Sequence, residues 1–474
     1  MIIQQFFVKG IAHSSYLLGG DSACAIVDPD RNIEMYLEAA RAMDLKITHI
    51  LETHLHADFI AGHMDLAAKT GAKIYAPKSG NCAFDHVPLA EGDSFEIEDM
   101  RVSILETPGH TPEHIAFVVS DQARGKDPAA VFCGDTLFVG DVGRPDLFPD
   151  IARELAGKLY HSLHDKLLKL PDFCEVYPAH GAGTLCGRAL SAKRTSTIGY
   201  EKKFNPALRI RDKEEFIRSL TTDMPPAPDH FSRCSEVNRK GPARLASLAP
   251  IKSIEPLAFE KALRGANAKI LDIRSYDAFG GNHIPGALHV DFGGNFATFC
   301  GWLIEPEAHL YLVSDSPTQA QKAVVWLRRV GLDHSPGYLE GGMLGWAKSG
   351  LPMAHVRQMG ADEVNAAARE GSMAFVDVRA SSEFAARHIQ NAVNIPAPEL
   401  RTRYRELDPE LPVLVICGTG QRSSMGASLL MQRGFRKVFN AAGGMAGYAA
   451  AGFSPECPVC MAPHGPRLIG THIE

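Results

Sequence analysis

The sequence predicts an α/β chain of several domains, on three observations. Its 474 residues are about three times the ~150 residues of a common domain. Short apolar runs that suit buried strands alternate with stretches of helical spacing. The second half repeats itself, which points to two copies of one α/β unit. A hydrophobic fraction of 45 % and a charged fraction of 22 %, with a mean hydropathy of −0.09, exclude disorder and fibrous repeats. The net charge of −6 offers no basic field, so no nucleic-acid or membrane-surface partner is expected. No apolar run nears the ~20 residues of a spanning helix. No charged leader and apolar segment open the chain, so no export signal is expected. Ten cysteines, scattered without framework spacing, suit reduced thiols in the cytoplasm.

In chain order, Ile47–Thr53 is an apolar run ending at His54, and Ile60–Lys69 has helical spacing. Arg101–Glu106 alternates, and Ala130–Cys133 is a buried-strand run ending at Gly134-Asp135. Residues 151–170 form an amphipathic stretch with Leu155, Leu159, Leu163 and Leu167 on one face. Residues 200–250, rich in charge and in proline around Met224-Pro225-Pro226-Ala227-Pro228, form a boundary expected to pack over the first domain. Beyond it, Ile270-Leu271-Asp272-Ile273-Arg274 and His283-Ile284 match Phe375-Val376-Asp377-Val378-Arg379 and His388-Ile389. Further on, Gly341-Gly342-Met343 matches Gly443-Gly444-Met445. Alternating strands and helices in each copy predict a parallel sheet. The expected division is 1–240, 241–355, 356–460 and a tail, 461–474.

Four segments of the first domain end apolar runs in ligand-type residues: Thr53-His54-Leu55-His56-Ala57-Asp58-Phe59, Thr107-Pro108-Gly109-His110-Thr111, Phe132-Cys133-Gly134-Asp135-Thr136 and Tyr177-Pro178-Ala179-His180-Gly181. One alone would be an ordinary hydrogen-bonded loop histidine. Four at strand ends can converge on a cation. The pattern resembles the metallo-β-lactamase superfamily over about the first 200 residues, which implies an αββα sandwich with the metal at one edge of its two sheets. Hydrolases of that superfamily carry His-x-His-x-Asp-His and bind two metals. Here the last histidine is Phe59, which cannot ligate. The second site keeps only Asp58 and His180, which counts against a dinuclear hydrolytic centre.

Within the superfamily, Thr-His-x-His-Ala-Asp, Pro-Gly-His-Thr and Gly-Asp-Thr-Leu-Phe followed by Gly-Arg-Pro-Asp are similar to the ETHE1-like persulfide dioxygenases. That resemblance implies His54, His110 and Asp135 as ligands of one mononuclear Fe(II) per chain. Two imidazoles and a carboxylate leave positions open for a persulfide and O2, whereas zinc on the same ligands would not activate O2. His56, Asp58 and His180 become hydrogen-bonding supports of the ligands. Arg144 matches a family arginine and would steady a loop or hold a substrate carboxylate. Cys186, just after the His180 loop, is either a sulfur relay near the metal or an inert buried thiol.

In the second copy of the repeat, Val413–Ile416 leads into Cys417-Gly418-Thr419-Gly420-Gln421-Arg422-Ser423-Ser424 and then a helical pattern. A thiol at such a strand end faces backbone N–H groups and a helix N-terminus, which favour a thiolate and an anion. Arg422 adds a cation able to bridge sulfonate-like oxygens. The loop looks like that of the rhodanese-type sulfurtransferases, with Cys417 and Arg422 catalytic and Gly418, Thr419, Gly420, Gln421 and Ser423 lining the substrate. A phosphatase-like loop would place five residues between Cys and Arg, and here there are four. In the first copy Ser314 stands opposite Cys417 and Asp315 follows, so that copy is expected to be an inactive rhodanese domain. Cys457-Pro458-Val459-Cys460 has no second pair and is expected to be a pair of spectators.

The whole order resembles the fused persulfide dioxygenase–rhodanese proteins of the CstB type. The implied function is oxidation of a low-molecular-weight persulfide, such as glutathione persulfide, to sulfite, coupled to a Cys417 sulfurtransferase that makes or consumes thiosulfate in sulfide detoxification. The alternative is a glyoxalase II-like thioester hydrolase fused to a sulfurtransferase. A homodimer is the expected assembly.

Overall fold

The computed structural model describes residues 1–453 other than Ala189, Asp223, Pro225 and Pro226. Cys457, Cys460 and the 461–474 tail lie outside the described residues. The chain forms two compact units: Met1–Leu248 with Leu327–Gly331, and Ala249–Trp326 with the described residues from Leu332 onward. Among the described residues no helix is long and apolar enough to cross a membrane.

The first unit is a sandwich of two six-stranded sheets. One orders its strands Ile2–Val8, His13–Gly19, Ala23–Val27, Lys46–Leu51, Lys73–Pro77 and Val87–Leu89, with the first three antiparallel and the rest added in parallel. The other runs Ser196–Thr197, Glu175–Pro178, Ala130–Gly134, Ile115–Asp121, Met100–Glu106 and Ser94–Ile97. The central strands are covered on both faces, which is why Ala23–Val27 and Ala130–Gly134 are apolar throughout, whereas the outer Met100–Glu106 alternates. Leu18, Ala25 and Val27 turn inward onto Phe117, Val119 and Phe132. Their neighbours Leu17, Cys24 and Ile26 turn outward under Tyr36 of helix Glu34–Ala42 and Leu66 of helix His63–Thr70. Val118 and Val131 likewise pack under Leu159, Leu163, Leu167 and Phe216. Helix, sheet, sheet, helix is the αββα order.

The leucine stretch is helical but not uniform. A helix over Ala152–His161 gives way to a π turn at Ser162–Lys166 and a short 3₁₀ turn at Leu167–Lys169. Spacing of four drifts about 40° per step on a 3.6-residue helix, and the wider turn keeps all four leucines facing the sheet. All four are fully buried, contributing about 2 kcal/mol each.

The stretch of about 200–250, expected as a boundary packing over the first domain, carries three helices among its described residues: Ile198–Phe204, Lys213–Thr221 and His230–Lys240. All belong to the first unit.

The second unit contains two five-stranded sheets of one design. The first orders Lys252–Ile254, Gly337–Leu339, His309–Val313, Ala268–Asp272 and Leu288–His289. The second orders Arg357–Met359, Val438–Ala441, Val413–Ile416, Ala374–Asp377 and Val393–Asn394. Every pairing in both is parallel. The repeated motifs do repeated work. Arg274 clasps Asp272 with its Nε and Nη2, and Arg379 clasps Asp377 in the same way. His283 stacks on Phe279 at 4.0 Å and His388 on Phe384 at 3.9 Å.

Candidate metal centre and sulfur-transfer loop

In the first unit, the loops after Lys46–Leu51, Met100–Glu106, Ala130–Gly134 and Glu175–Pro178 carry the four predicted segments. An antiparallel bridge between His13 and His180 ties the two sheets together beside them. His54, His110 and Asp135 are fully buried, and one ligand atom of each lies within 4.8 Å of the others. Asp135 Oδ2 is 3.3 Å from His110 Nε2 and 3.8 Å from His54 Nε2.

The tautomers follow from the other ring nitrogens. Thr53 Oγ1 donates to Asp28 Oδ2 at 2.8 Å, so at 2.9 Å it accepts from His54 Nδ1. The His110 Nδ1–H donates to the Arg144 carbonyl at 2.9 Å. Burial, and neighbouring imidazoles in the case of His54, lower both pKa values and keep the rings neutral. Both Nε2 lone pairs are buried without a hydrogen-bond partner, an arrangement costly in an apolar interior. A cation satisfies both nitrogens and the Asp135 carboxylate at once, so the residues present fit a metal.

The supporting groups are tightly knit. The His180 Nδ1–H lies 2.7 Å from Asp135 Oδ1, and its Nε2 lies 2.8 Å from Asp58 Oδ2. Burial pulls the His180 pKa down, but the two flanking carboxylates overcome it and push it well above the ordinary value. His56 turns toward Asp28, at 3.3 Å, and does not join the three ligands. Asp28, Glu52 and His56 also cluster, but both Asp28 oxygens already accept from Thr53, through its N–H and its hydroxyl. Phe59 is completely buried between His13, at 4.1 Å between ring centroids, and His56, at 4.5 Å. Cys186 reaches Asp58 and His180 in a further buried cluster. Burial first, then the carboxylates of Asp58 and Asp135, push its thiol well above the ordinary pKa.

Arg144 departs from one expected role. Its guanidinium clasps Asp146 at 2.7 and 2.6 Å and donates to the Leu185 carbonyl at 3.2 Å. It steadies the loop that carries Cys186 and, through its own carbonyl, orients His110.

Three positioning residues escaped sequence reasoning. His114 stacks on His54 at 4.7 Å and accepts the Asp135 N–H on its Nε2. Gly134 has φ +50, and a Cβ there would sit 2.4 Å from that His114 ring. Asn238 donates from Nδ2 to the carbonyls of His56 and Phe59, both at 2.8 Å, and accepts from Ala61 N–H. The clue to His114 was its place in the Pro-Gly-His loop. For Asn238 there was none.

In the second unit, Cys417 ends the strand Val413–Ile416, and the helix Gln421–Gln432 opens directly after the loop. The Gly420 N–H points at the buried Cys417 Sγ from 3.1 Å, and the Ser423 hydroxyl stands 3.3 Å from it. The loop is held from behind, where Met445 and Ala446 N–H donate to the carbonyls of Cys417 and Gly418 at 2.7 and 3.0 Å. Gly444, at φ +54, makes that approach possible, since a Cβ would fall 2.4 Å from the Cys417 carbonyl oxygen. Arg422 is not the open anion bridge expected. Its Nη1 and Nη2 donate to Glu383 at 2.7 and 2.8 Å.

The metallo-β-lactamase superfamily matches residues 8–180, and the rhodanese-like domain family matches residues 255–349 and 360–451. A crystal structure of a metallo-β-lactamase from Staphylococcus aureus subsp. aureus COL is 32 % identical, with TM-score 0.64, covering 72 % of this chain and 98 % of that one. The chain belongs to the metallo-β-lactamase superfamily, with two rhodanese-like domains fused behind. The mouse mitochondrial persulfide dioxygenase ETHE1 is 29 % identical over 245 residues, 51 % of this chain and 88 % of that protein. The hydroxyacylglutathione hydrolase of Rhizobium etli is 33 % identical over 202 residues, 37 % of this chain and 74 % of that protein. Relatives of this metallo-β-lactamase-fold chain thus include both an oxygenase and a hydrolase.

Proposed function

We propose that the N-terminal domain is a persulfide dioxygenase with one Fe(II) on His54, His110 and Asp135, and that Cys417 carries sulfane sulfur in the second rhodanese domain. The observation that carries the first half is the pair of buried, unpartnered Nε2 atoms facing Asp135, together with Phe59 filling the place of a further ligand. The overall reaction is R-S-SH + O2 + H2O → R-SH + sulfite + two protons. Bound there, Fe(II) would supply open positions for sulfur and dioxygen and the redox capacity that zinc lacks.

The chain's own residues set that site up. Thr53 and the Arg144 carbonyl hold the two imidazoles as Nε2 donors. His180, between Asp58 and Asp135, fixes the carboxylate and carries a proton beside it. Arg144, through Asp146 and Leu185, holds the Cys186 segment against the site. Of the two readings of Cys186, the inert buried thiol is favoured by burial and by the carboxylates of Asp58 and Asp135, which hold its pKa well above the ordinary value. Cys186→Ser should therefore leave both the ratio of sulfite to thiosulfate and the iron content unchanged.

In the rhodanese domain, the Cys417 thiolate attacks the sulfane sulfur of a donor. The donor S–S bond breaks, a new Cys417 S–S bond forms, and the donor thiolate or sulfite leaves. Passing that sulfur to sulfite makes thiosulfate, and the reverse consumes it. The thiols among the described residues, free and mostly buried, fit a reducing cytoplasm, and a homodimer is the working assembly.

The second reading, a thioester hydrolase, draws on the hydroxyacylglutathione hydrolase relative. It needs a second cation, for which Asp58, His180 and Cys186 are the candidate ligands. Anaerobic metal analysis followed by oxygen uptake with glutathione persulfide separates the two. One iron per chain with uptake is expected. Two zincs, or iron-loaded protein that takes up no oxygen, overturns the oxygenase.

A further inference from the structure

The arginine of the sulfur-transfer loop faces a carboxylate where an oxyanion would be expected to bind. Glu383 lies in the first turn of the short helix Ser381–Ala386, and its Oε2 also accepts the Ala380 N–H at that helix's start. Its two oxygens face Nη1 and Nη2 of Arg422 at 2.7 and 2.8 Å. That is the two-point face a guanidinium offers to sulfonate or carboxylate oxygens. Arg422 Nη2 also lies 3.3 Å from where a Cβ on Gly418 would be, so the pair stands against the loop itself. The other charged loop neighbour on the same sheet, Arg379, is clasped by Asp377. Beside the loop is a cavity of about 60 Å³, lined by Gln421, Arg422, Met425, Phe296, Phe299 and Asp291. Gln421 hydrogen-bonds Asp291 there. The lining thus mixes apolar side chains with the polar Asp291, Asn295 and Gln421, and the Arg422 guanidinium already has a carboxylate partner.

We propose that Glu383 sets the oxyanion affinity of the sulfur-transfer site by competing with the sulfonate-type oxygens of thiosulfate or sulfite for the fork of Arg422. The inference rests on the reading of Cys417 as the sulfur carrier. In an organic persulfide the transferred sulfur is bonded to a thiol sulfur on carbon, and the carboxylates of glutathione persulfide lie several bonds away. No oxyanion therefore stands beside that sulfur as the sulfonate of thiosulfate does, and loading proceeds without the fork. Thiosulfate must displace Glu383 to gain the same contact, and once its sulfur is transferred, or once it has formed from sulfite, Glu383 displaces it in turn. The site thus binds thiosulfate loosely and releases it readily, while persulfides load Cys417 without that competition. Glu383 touches neither sulfur and acts through Arg422 as a positioning residue.

The test uses the full chain under anaerobic conditions, with persulfidation of Cys417 read by mass spectrometry after mixing with either glutathione persulfide or thiosulfate. Glu383→Gln keeps the size and one acceptor but removes the competing charge. The KM for thiosulfate should fall roughly tenfold relative to that for the persulfide, the scale of one partly exposed charge contact. Glu383→Asp should restore most of the parent ratio. Added salt should raise the parent's thiosulfate KM less than that of the Gln variant, because salt weakens the competing Arg422–Glu383 pair as well. A purely structural role would move both donors together, so parallel changes in the two KM values overturn the proposal. An unchanged thiosulfate KM in Glu383→Gln overturns it as well. If neither donor loads Cys417 in the parent protein, the sulfurtransferase reading falls with it. If both load and the ratio is indifferent to Glu383, only the present inference fails.

Discussion

The two rhodanese-like domains share strand order, the buried Arg–Asp clasp and the stacked His–Phe pair, yet they build opposite loops at the same strand end. In the second, the Gly420 N–H and the Ser423 hydroxyl face Sγ of Cys417. Counting back through the repeat, Pro317 stands where Gly420 is and Ala320 where Ser423 is. Proline has no N–H to give, and alanine has no hydroxyl. The first loop satisfies itself instead. Ser314 Oγ donates to the Ser316 carbonyl, Ser316 Oγ accepts from Gln319 N–H, and the helix Pro317–Arg329 starts on its proline. One scaffold therefore ends in an anion cradle or in a capped helix, depending on a few loop residues. The fold is common to both domains, and the donors at the strand end are not.

The sharpest way to break this contrast is at the thiol. Cys417→Ser should abolish persulfide loading and thiosulfate formation while leaving oxygen uptake by the N-terminal domain intact. Ser314→Cys should not create a second loading site, because Pro317 and Ala320 withhold the donors. Persulfide on the introduced thiol of that variant, seen by peptide mass spectrometry, would refute the account of the loop.

Next in size is the glycine behind the loop. Gly444→Ala places a methyl 2.4 Å from the Cys417 carbonyl oxygen at φ +54, whereas at Gly342 the nearest contact, the Ser314 carbonyl, is 3.3 Å away. The first should cost on the order of 3 kcal/mol from strain and overpacking and slow loading severely. The second should cost about 1 kcal/mol from strain alone. Thermal melts with loading rates check both, and equal losses would mean the two loops are equally close-packed.

Much of this was legible in the sequence because it is local. Strand ends followed by His, Asp or Cys mark where side chains emerge from a sheet, and a shared motif order fixes the repeat without knowledge of contacts. Phe59 carried its message alone, since a phenyl ring cannot ligate. What the sequence hid was partner choice. No spacing rule links Glu383 to Arg422, 39 residues on, and only folding brings them together. Asn238 lies 177 residues from Ala61, whose N–H it accepts, and no spacing rule connects them. Arg144 does steady its loop, but the acid two residues on takes its guanidinium and so competes with any substrate carboxylate. The π turn at Ser162–Lys166 followed from leucine spacing only once the sheet to be covered was known.

A third comparison should show no contrast. Arg274 and Arg379 are each buried against an aspartate in the same geometry, and each also donates from Nη2 to a chain carbonyl eight residues on. Removing either guanidinium leaves an uncompensated buried carboxylate, so Arg274→Ala and Arg379→Ala should each destabilise by about 3 kcal/mol. Chemical denaturation measures this. A loss confined to Arg379 would tie the clasp to the active loop and not to the scaffold.

The smallest effect isolates the hydroxyl that distinguishes Ser423 from Ala320. Ser423 Oγ lies 3.3 Å from Cys417 Sγ and 3.1 Å from the Gly420 carbonyl, and that carbonyl also accepts from Asn440 Nδ2 at 3.2 Å. In Ser423→Ala the carbonyl keeps its Asn440 partner, so the fold should lose little and Tm should stay within about a degree or two. The sulfur loses one of two donors, worth about 1 kcal/mol in a buried site, and loading should slow roughly fivefold. Because Gly420 N–H remains, activity should persist where the first domain has none. A complete loss in Ser423→Ala would make the hydroxyl, and not the backbone donor, the element that separates the Cys417 loop from the Ser314 loop.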